Sequence, residues 1–356
     1  QIWLQGPALT GLRERVGLVL STYAELIAAQ PAIAEVAALL APGWGEVEAS
    51  LSAGMSTVCW CSLFADSWVT AVLAQLDALR ARLSRTHTRM DSIAAQLKHV
   101  GAALLVHLPT DPEGAAAALA EADDATAALT VVTVDGWITA QEKLSGSQSE
   151  WLQAQNIEIE EAVEELLGEA CLDGNPTPEA AEGVKRFYRG RMYRAVLGAV
   201  TSSLAALKER FSAASYGFLF VDRPFFDVDV ELAIPSVRMT PDLDSVQLSV
   251  NRVARSVLST SLALSDWSGT GDGWAASTDE CSCFHAKLAR DRQVMLTVLG
   301  LAGAVAHVRA KTEEYVGSLS VYDYLWQEDA GEAVSAFLDG SPSLLDVEDK
   351  LRQFCD

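Results

Sequence analysis

Apolar residues recur every three or four positions through most of the chain. The longest such run lies between Ser62 and Leu105. There Val69, Val72, Leu76, Leu79, Leu83, Thr86, Met90, Ile93, Leu97, Val100 and Leu104 alternate steps of three and four. That is a heptad seam with one polar interruption, at Thr86. At about 1.5 Å per residue it predicts a helix roughly 60 Å long. Such a helix exceeds one small globular core and suits an elongated bundle.

Shorter helical patterns flank it. Gly11 to Gln30 reads as an amphipathic helix stopped by Pro31, and an Ala-rich helix follows to about Leu40 and ends at "APGWG". Pro109 and Pro112 in "LPTDPEG" end the long helix. A short helix over Ala115–Ala120 then leads to "ALTVVTVDG". Trp137–Cys171 and Glu179–Ala214 are predicted helices on either side of the turn "LDGNPTP". Pro241 opens a helix to about Leu264, "SDWSGTGDGWAAS" is a loop, Cys281 to about Val321 is one long helix, and two short helices close the chain. One stretch departs from this period. In "FFDVDVELAIP", from Phe225, Phe226, Val228, Val230 and Leu232 alternate with Asp227, Asp229 and Glu231. A period of two predicts a strand with its carboxylates toward water and its apolar side against a helical layer. "YGFLFV" (Tyr216 to Val221), turned back at Asp222-Arg223-Pro224, is its expected partner. The fold class is therefore all-α: elongated serial helical bundles with long helices and one short β-hairpin-like segment near 216–234. The expected division is a bundle over 1–130, a helical hairpin over 131–215, a β-hairpin-like junction over 216–240 and a second bundle over 241–356.

Composition narrows the picture. Half the residues are apolar and 21% are charged, with 26 Lys and Arg against 48 Asp and Glu and a formal charge of -22. That field opposes binding to nucleic acid, anionic lipid or an acidic surface such as tubulin's, and any such contact would need a local basic patch. The longest apolar run, "VMLTVLGLAGAVAHV" from Val294 to Val308, is short for a bilayer span and is expected to be buried on most sides. The chain begins at Gln1 with no signal-like segment, which reads as a fragment boundary. Six cysteines are too sparse for a disulfide scaffold, so reduced thiols are expected.

Candidate chemistry is thin. Cys59 and Cys61, with Cys281, Cys283 and His285, offer four thiols and an imidazole, but one intervening residue is tighter than zinc knuckles use. Asp227, Asp229 and Glu231 resemble the start of a calcium loop, but Leu232 stands where that loop needs Gly. "GTGDG" (Gly269 to Gly273) follows a helix, where a dinucleotide loop needs a strand. No Gly-Lys dipeptide, H-E-x-x-H, G-x-S-x-G or C-x-x-C occurs, and no Glu-x-x-His pair supports a metal-binding bundle. No catalytic, cofactor-binding or metal residues are assigned.

Two helices carry opposite charge. Glu158, Glu160, Glu161, Glu164, Glu165 and Glu169 precede the Pro turn, and Lys185, Arg186, Arg189, Arg191 and Arg194 follow it. A hairpin would pair them within the chain. The functional alternative is a subunit-contact patch of Lys185, Arg186, Phe187, Arg189, Arg191, Tyr193 and Arg194, with Tyr188 beside it as a further aromatic anchor.

The stretch that begins at Phe225 also carries a family resemblance. "FFDVDVELAIPSVRMTPDLDSVQLSVNRVARSVLSTSLALSDWS" is similar to the stem of axonemal dynein heavy chains just upstream of the linker. Ile234, Pro235, Val237, Pro241, Leu243, Asp244, Val246, Gln247, Asn251, Val257, Leu258 and Trp267 match. "YDYLWQEDAGEAVSAFLDGSPSLLDVEDKLRQF" resembles the lead into the linker through Tyr324, Trp326, Glu332, Ala333, Phe337, Pro342, Leu344 and Glu348. "VEASLSAGMSTVCWCSL" around Trp60 and "EEAVEELL" (Glu160 to Leu167) resemble further stem blocks. Their order holds over roughly residues 45 to 354, and the likeness is greatest to gamma-type outer-arm chains. The resemblance implies a non-catalytic stem segment with no cofactor of its own. The ATP- and Mg-dependent microtubule motor would lie beyond Asp356. Expected partners are other heavy chains and the intermediate and light chains of the arm, with no nucleic acid, membrane or direct microtubule contact. The expected location is the cytoplasm and the axoneme of a cilium or flagellum. The alternative is a stand-alone acidic helical adaptor or tethering subunit.

Overall fold

The computed structural model describes residues 7–57, 62–108, 133–171, 177–214, 229–232, 237–265, 267, 284–322, 330–341 and 343–355. Among them the chain is all-α apart from one two-stranded sheet. The helices are α1 Pro7–Ala29, α2 Ala37–Thr57, α3 Ser62–Gly101, α4 Val134–Ala170, α5 Pro178–Ala214, α6 Leu243–Ser259, α7 Phe284–Arg290, α8 Arg292–Ser318, α9 Ala330–Asp339 and α10 Leu344–Cys355. Short 3-10 turns lie at Gln30–Val36, Thr260–Ala263 and Leu319–Tyr322. The strands are β1 Asp229–Leu232 and β2 Val237–Thr240.

The described chain forms two compact units. One comprises Gln1–Leu105, Ser145–Ser202 and Leu258–Val294, and the other Val106–Leu144, Ser203–Val257 and Met295–Asp356. In the first unit the seam of α3 is the core. From Val69 through Val100 every seam residue is buried, Thr86 included. Leu104, the eleventh, lies beyond the helix end at Gly101 and is exposed, while Leu105 takes the buried place. Once the helix stops, its period no longer sets which side chain points inward. α1 and α2 both pack on α3. Arg80 of α3 pairs with Glu25 of α1 at 2.5 Å. Trp68 Nε1 donates to the Ser50 carbonyl of α2 at 2.9 Å.

α2 corrects the expectation for "APGWG". The helix runs through Pro42. Proline removes one early hydrogen bond, while the next turn buries Trp44 and Val47. α4 brings a second seam into the first unit: Leu152, Asn156, Ile159, Val163, Leu166 and Ala170, all buried and stepping by four and three. α5 meets α3 closely. A Cβ added at Gly101 would stand 3.6 Å from the Ala195 Cα, and one at Gly198 would stand 3.7 Å from the Gly101 carbonyl.

In the second unit, Val134 and Ile138 at the start of α4 cluster with Val246 of α6. Asp242 caps α6, its carboxylate accepting from the Ser245 amide at 2.5 Å. Asp244 pairs with Arg309 of α8 at 2.6 Å. β1 pairs antiparallel with β2, from Asp229 opposite Thr240 to Leu232 opposite Val237. Among the described residues the partner of β1 is thus β2. The expected partner "YGFLFV" lies outside the described residues, as does Val228. Val230 is 48% exposed, so β1 does not bury the apolar side predicted for it there.

The helix expected from Cys281 to Val321 is two. α7 ends at Arg290 and α8 begins at Arg292. The Asp291 amide donates to the Leu288 carbonyl at 3.0 Å and its carboxylate accepts from the Gln293 amide at 2.8 Å. An acidic side chain capping the next helix start explains the break. α8 is also not buried on most sides. Val294, Leu301 and Val305 are buried, whereas Met295, Leu296 and Leu299 are more than half exposed. Its apolar residues surround the helix, but packing covers one side only.

Candidate interaction surface

The charged hairpin resolves into three environments. Lys185 of α5 pairs with Glu164 of α4, and its ammonium stem is only 13% exposed. Arg189 and Tyr193 are buried inside the first unit. The Arg189 guanidinium lies 5.7 Å from the Phe284 ring centroid, and Lys287 Nζ lies 5.1 Å from that of Tyr193. Arg186 and Arg194 face solvent, and Arg186 pairs with Glu182 one turn earlier on its own helix. Phe187 and Arg191 are half-buried, with the guanidinium 5.7 Å from the ring centroid, and Tyr188 is fully buried beside Phe187. The seven patch residues therefore do not share one exposed face. Arg186 and Arg194, with half-buried Arg191 and Phe187, are the part that stays at the surface.

The acidic helix has a second cation that its sequence neighbourhood does not reveal. Arg89 of α3 reaches Glu165 at 2.8 Å and Glu169 at 3.2 Å. Eighty residues separate Arg89 from Glu169, so only the tertiary fold brings them together.

Tyr193 also joins α5 to the α7–α8 break. Its hydroxyl donates to Asp291 Oδ2 at 2.9 Å, while the other oxygen of that carboxylate caps α8. Burial first, then the hydrogen bond to Asp291 and its negative charge, push the phenol far above its usual value.

Buried Asn156 forms a clamp with the segment that follows α6. Its Oδ1 accepts from Trp267 Nε1 at 2.9 Å and its Nδ2 donates to the Ser265 carbonyl at 3.0 Å. Gln153, one turn before, accepts from the Ser265 amide and donates to its hydroxyl, both at 2.9 Å. Trp267 is one of the residues that carry the family resemblance, and the clamp gives its indole a defined role. Asp244 and Val246 are two more, and they tie α6 to α8 and to α4 inside the second unit.

The remaining candidates do not converge. Cys59, Cys61, Cys281, Cys283, Asp227 and Gly269–Gly273 lie outside the described residues. Asp229 and Glu231 are exposed. The Nδ1 of His285 sits 3.1 Å from both Ser261 Oγ and the Leu258 carbonyl. Among the described residues no group of three or more His, Cys, Asp or Glu is placed to hold a metal ion. Burial pushes the Cys171 thiol up, against the opposing charge of Arg82, and so disfavours its reactive thiolate.

No protein-family profile matches the chain. It is similar to individual proteins along nearly its whole length. The dynein gamma chain of the flagellar outer arm of Chlamydomonas reinhardtii is 31% identical over 335 residues, 90% of this chain. Dynein axonemal heavy chain 8 of Mus musculus and of Homo sapiens is 22% identical in each case, over 89% and 94% of this chain. The chain spans only 7%, 8% and 9% of the length of these three relatives. With that likeness covering about nine-tenths of its length, the chain belongs, as one segment, to the axonemal dynein heavy chains of cilia and flagella.

Proposed function

We propose that this segment is non-catalytic stem: the part of the heavy chain that joins the microtubule motor to the base of the arm and contacts other subunits there. The observation that carries this reading is the combination of long seam-packed helices with a match spanning less than a tenth of each relative. Helices whose seams are filled transmit force without rearranging, because a packed core deforms little. The ATP- and Mg-binding ring and the microtubule-binding stalk belong, in this reading, to the rest of the heavy chain. The partners are other heavy chains and the intermediate and light chains of the arm. Arg186, Arg191, Arg194 and Phe187 form one contact surface for an acidic partner.

A small tag inserted after Ala29, at the exposed end of the Pro7–Ala29 helix, in a full-length heavy chain and located in axonemes by electron tomography, tests the reading. Density in the stem, between the ring and the doublet, is the expected result. Density at the ring overturns it. The isolated segment should also show no Mg-ATP hydrolysis above a buffer blank.

A further inference from the structure

The seam of α4 has a gap. Gln141 and Leu152 are both buried, and between them the helical steps of four, three and four fall on Ser145 and Gln148. Both are polar and only half-buried, and from Glu142 through Trp151, about three turns, no residue is buried. The Oε1 of Gln148 is enclosed without a hydrogen-bond partner among the described residues, so this seam side chain adds a desolvation cost. The same stretch is poor in helix formers. Ser145, Gly146, Ser147 and Ser149 stand together in the middle of a 37-residue helix. A Cβ added at Gly146 would meet nothing within 4 Å, so no neighbour requires a glycine there.

On either side of the gap α4 is held. Trp137 Nε1 donates to the His107 carbonyl at 2.7 Å, and Gln141 Oε1 accepts from the His107 amide at 2.6 Å. Ser149 donates to the Thr260 carbonyl at 3.3 Å, and Gln153 and Asn156 clamp Ser265. Between these anchors the pair of Glu142 with Arg252 is largely exposed and contributes little. Leu144–Ser145 is also where α4 passes from the second compact unit to the first. α5 passes between the same units at Ser202–Ser203, but its seam is unbroken there: Val196, Val200, Ser203 and Leu207 are all fully buried.

We propose that α4 is jointed at Ser145–Ser149. The helix opens there while the spans Val134–Gln141 and Leu152–Ala170 stay formed. Weak helix propensity, missing burial and an unsatisfied seam position coincide at the joint and nowhere else along α4. α5, with its seam filled, is the continuous strut at its own passage. The inference rests on the stem reading only for the source of the load. Under that load α4 yields at the joint before either packed span is disturbed.

Hydrogen exchange of the 356-residue chain, read by mass spectrometry on overlapping peptides, tests the joint. Amides of Ser145–Glu150 should exchange at least about thirtyfold faster than those of Ile159–Leu167, and than those of Val200–Leu207 in α5. Fraying cannot mimic this, because the stretch lies in the middle of the helix. Urea below the unfolding transition promotes openings in proportion to the surface they expose. It should leave Ser145–Glu150 nearly unchanged and speed exchange at Ile159–Leu167. Gly146→Ala, at an exposed position with open space, should slow exchange at the joint by about fivefold. Equal protection along α4 overturns the proposal. So does exchange at the joint that climbs with urea in step with Ile159–Leu167, or that Gly146→Ala does not slow. Equally fast exchange at Val200–Leu207 overturns it too, because the opening would then belong to every passage between the units and not to the α4 gap. A tag found at the ring would end the stem reading and leave the exchange pattern standing.

Discussion

Asn156 is buried and His107 half-buried, and the two polar side chains meet that burial differently. Asn156 occupies a seam position of α4 with both sides of its amide satisfied, by Ser265 and Trp267. Asn156→Leu would leave the indole N–H and the Ser265 carbonyl without their partner. It should cost about 2–3 kcal/mol in denaturant unfolding, with a change in near-ultraviolet dichroism at Trp267. A shift below about 0.5 kcal/mol would contradict the clamp. His107 of the second unit has its backbone amide bonded to Gln141 at 2.6 Å and its carbonyl to Trp137 Nε1 at 2.7 Å. Its Nε2 has no hydrogen-bond partner, and burial lowers its pKa. The folded state therefore binds this proton less readily than the unfolded chain. Stability should be highest above the unfolded value of about 6.5 and fall as pH drops toward the lowered folded value. His107→Phe should remove part of that slope in unfolding curves taken between about pH 5 and 7. Neither role is legible in the sequence. Asn156 and Trp267 lie 111 positions apart, and no local pattern marks them as partners.

At the scale of elements, periodicity carried most of the information. The α3 seam was readable because a 3.5-residue repeat survives in sequence whatever packs against it. It was misread only at Leu104, where the helix had already ended. Pro42 misleads for a related reason: a proline rule describes one lost bond, and burial of Trp44 and Val47 outweighs it. The α7–α8 break rests on one Asp that reads equally well as a surface residue. Asp291→Ala removes the α8 cap and the acceptor of Tyr193 together, and should cost about 1–3 kcal/mol by thermal or denaturant unfolding. Tyr193→Phe alone should cost about 0.5–1.5 kcal/mol in the same measurement. The α3–α5 contact makes an opposite prediction. At Gly101 a methyl group would find ordinary contacts of 3.6 to 3.8 Å. Gly101→Ala should thus be neutral or stabilise by up to about 1 kcal/mol, whereas Gly101→Leu should destabilise by about 1–3 kcal/mol as the helices are forced apart. Equal effects of the two substitutions would show that the helices do not approach so closely in solution.

Over the whole molecule, charge and length matter most. Ion pairs such as Arg80 with Glu25 and Arg252 with Glu142 are largely exposed and contribute little each. The surplus of carboxylates repels at longer range. Raising NaCl from about 20 to about 200 mM should therefore raise the melting temperature, because screening relieves the repulsion more than it weakens the pairs. A falling Tm would mean that the ion pairs dominate. The all-α class and the family were legible in the sequence because both depend on patterns spread along the chain. Which charged side chains stay exposed was not, because Lys185 and Arg189 turn inward while Arg186 and Arg194 do not, and the α8 run expected to be buried is covered on one side only. The α3 seam also bears on how such chains lengthen and shorten in evolution. The mouse and human matches extend over 395 and 417 positions against 356 residues here, so those alignments contain inserted residues. One residue inserted within α3 would rotate every later seam position by about 100°, and only steps of about seven would restore it. Length differences among relatives should therefore collect in the connections between helices, and the spacing from Val69 to Val100 should be copied unchanged from chain to chain.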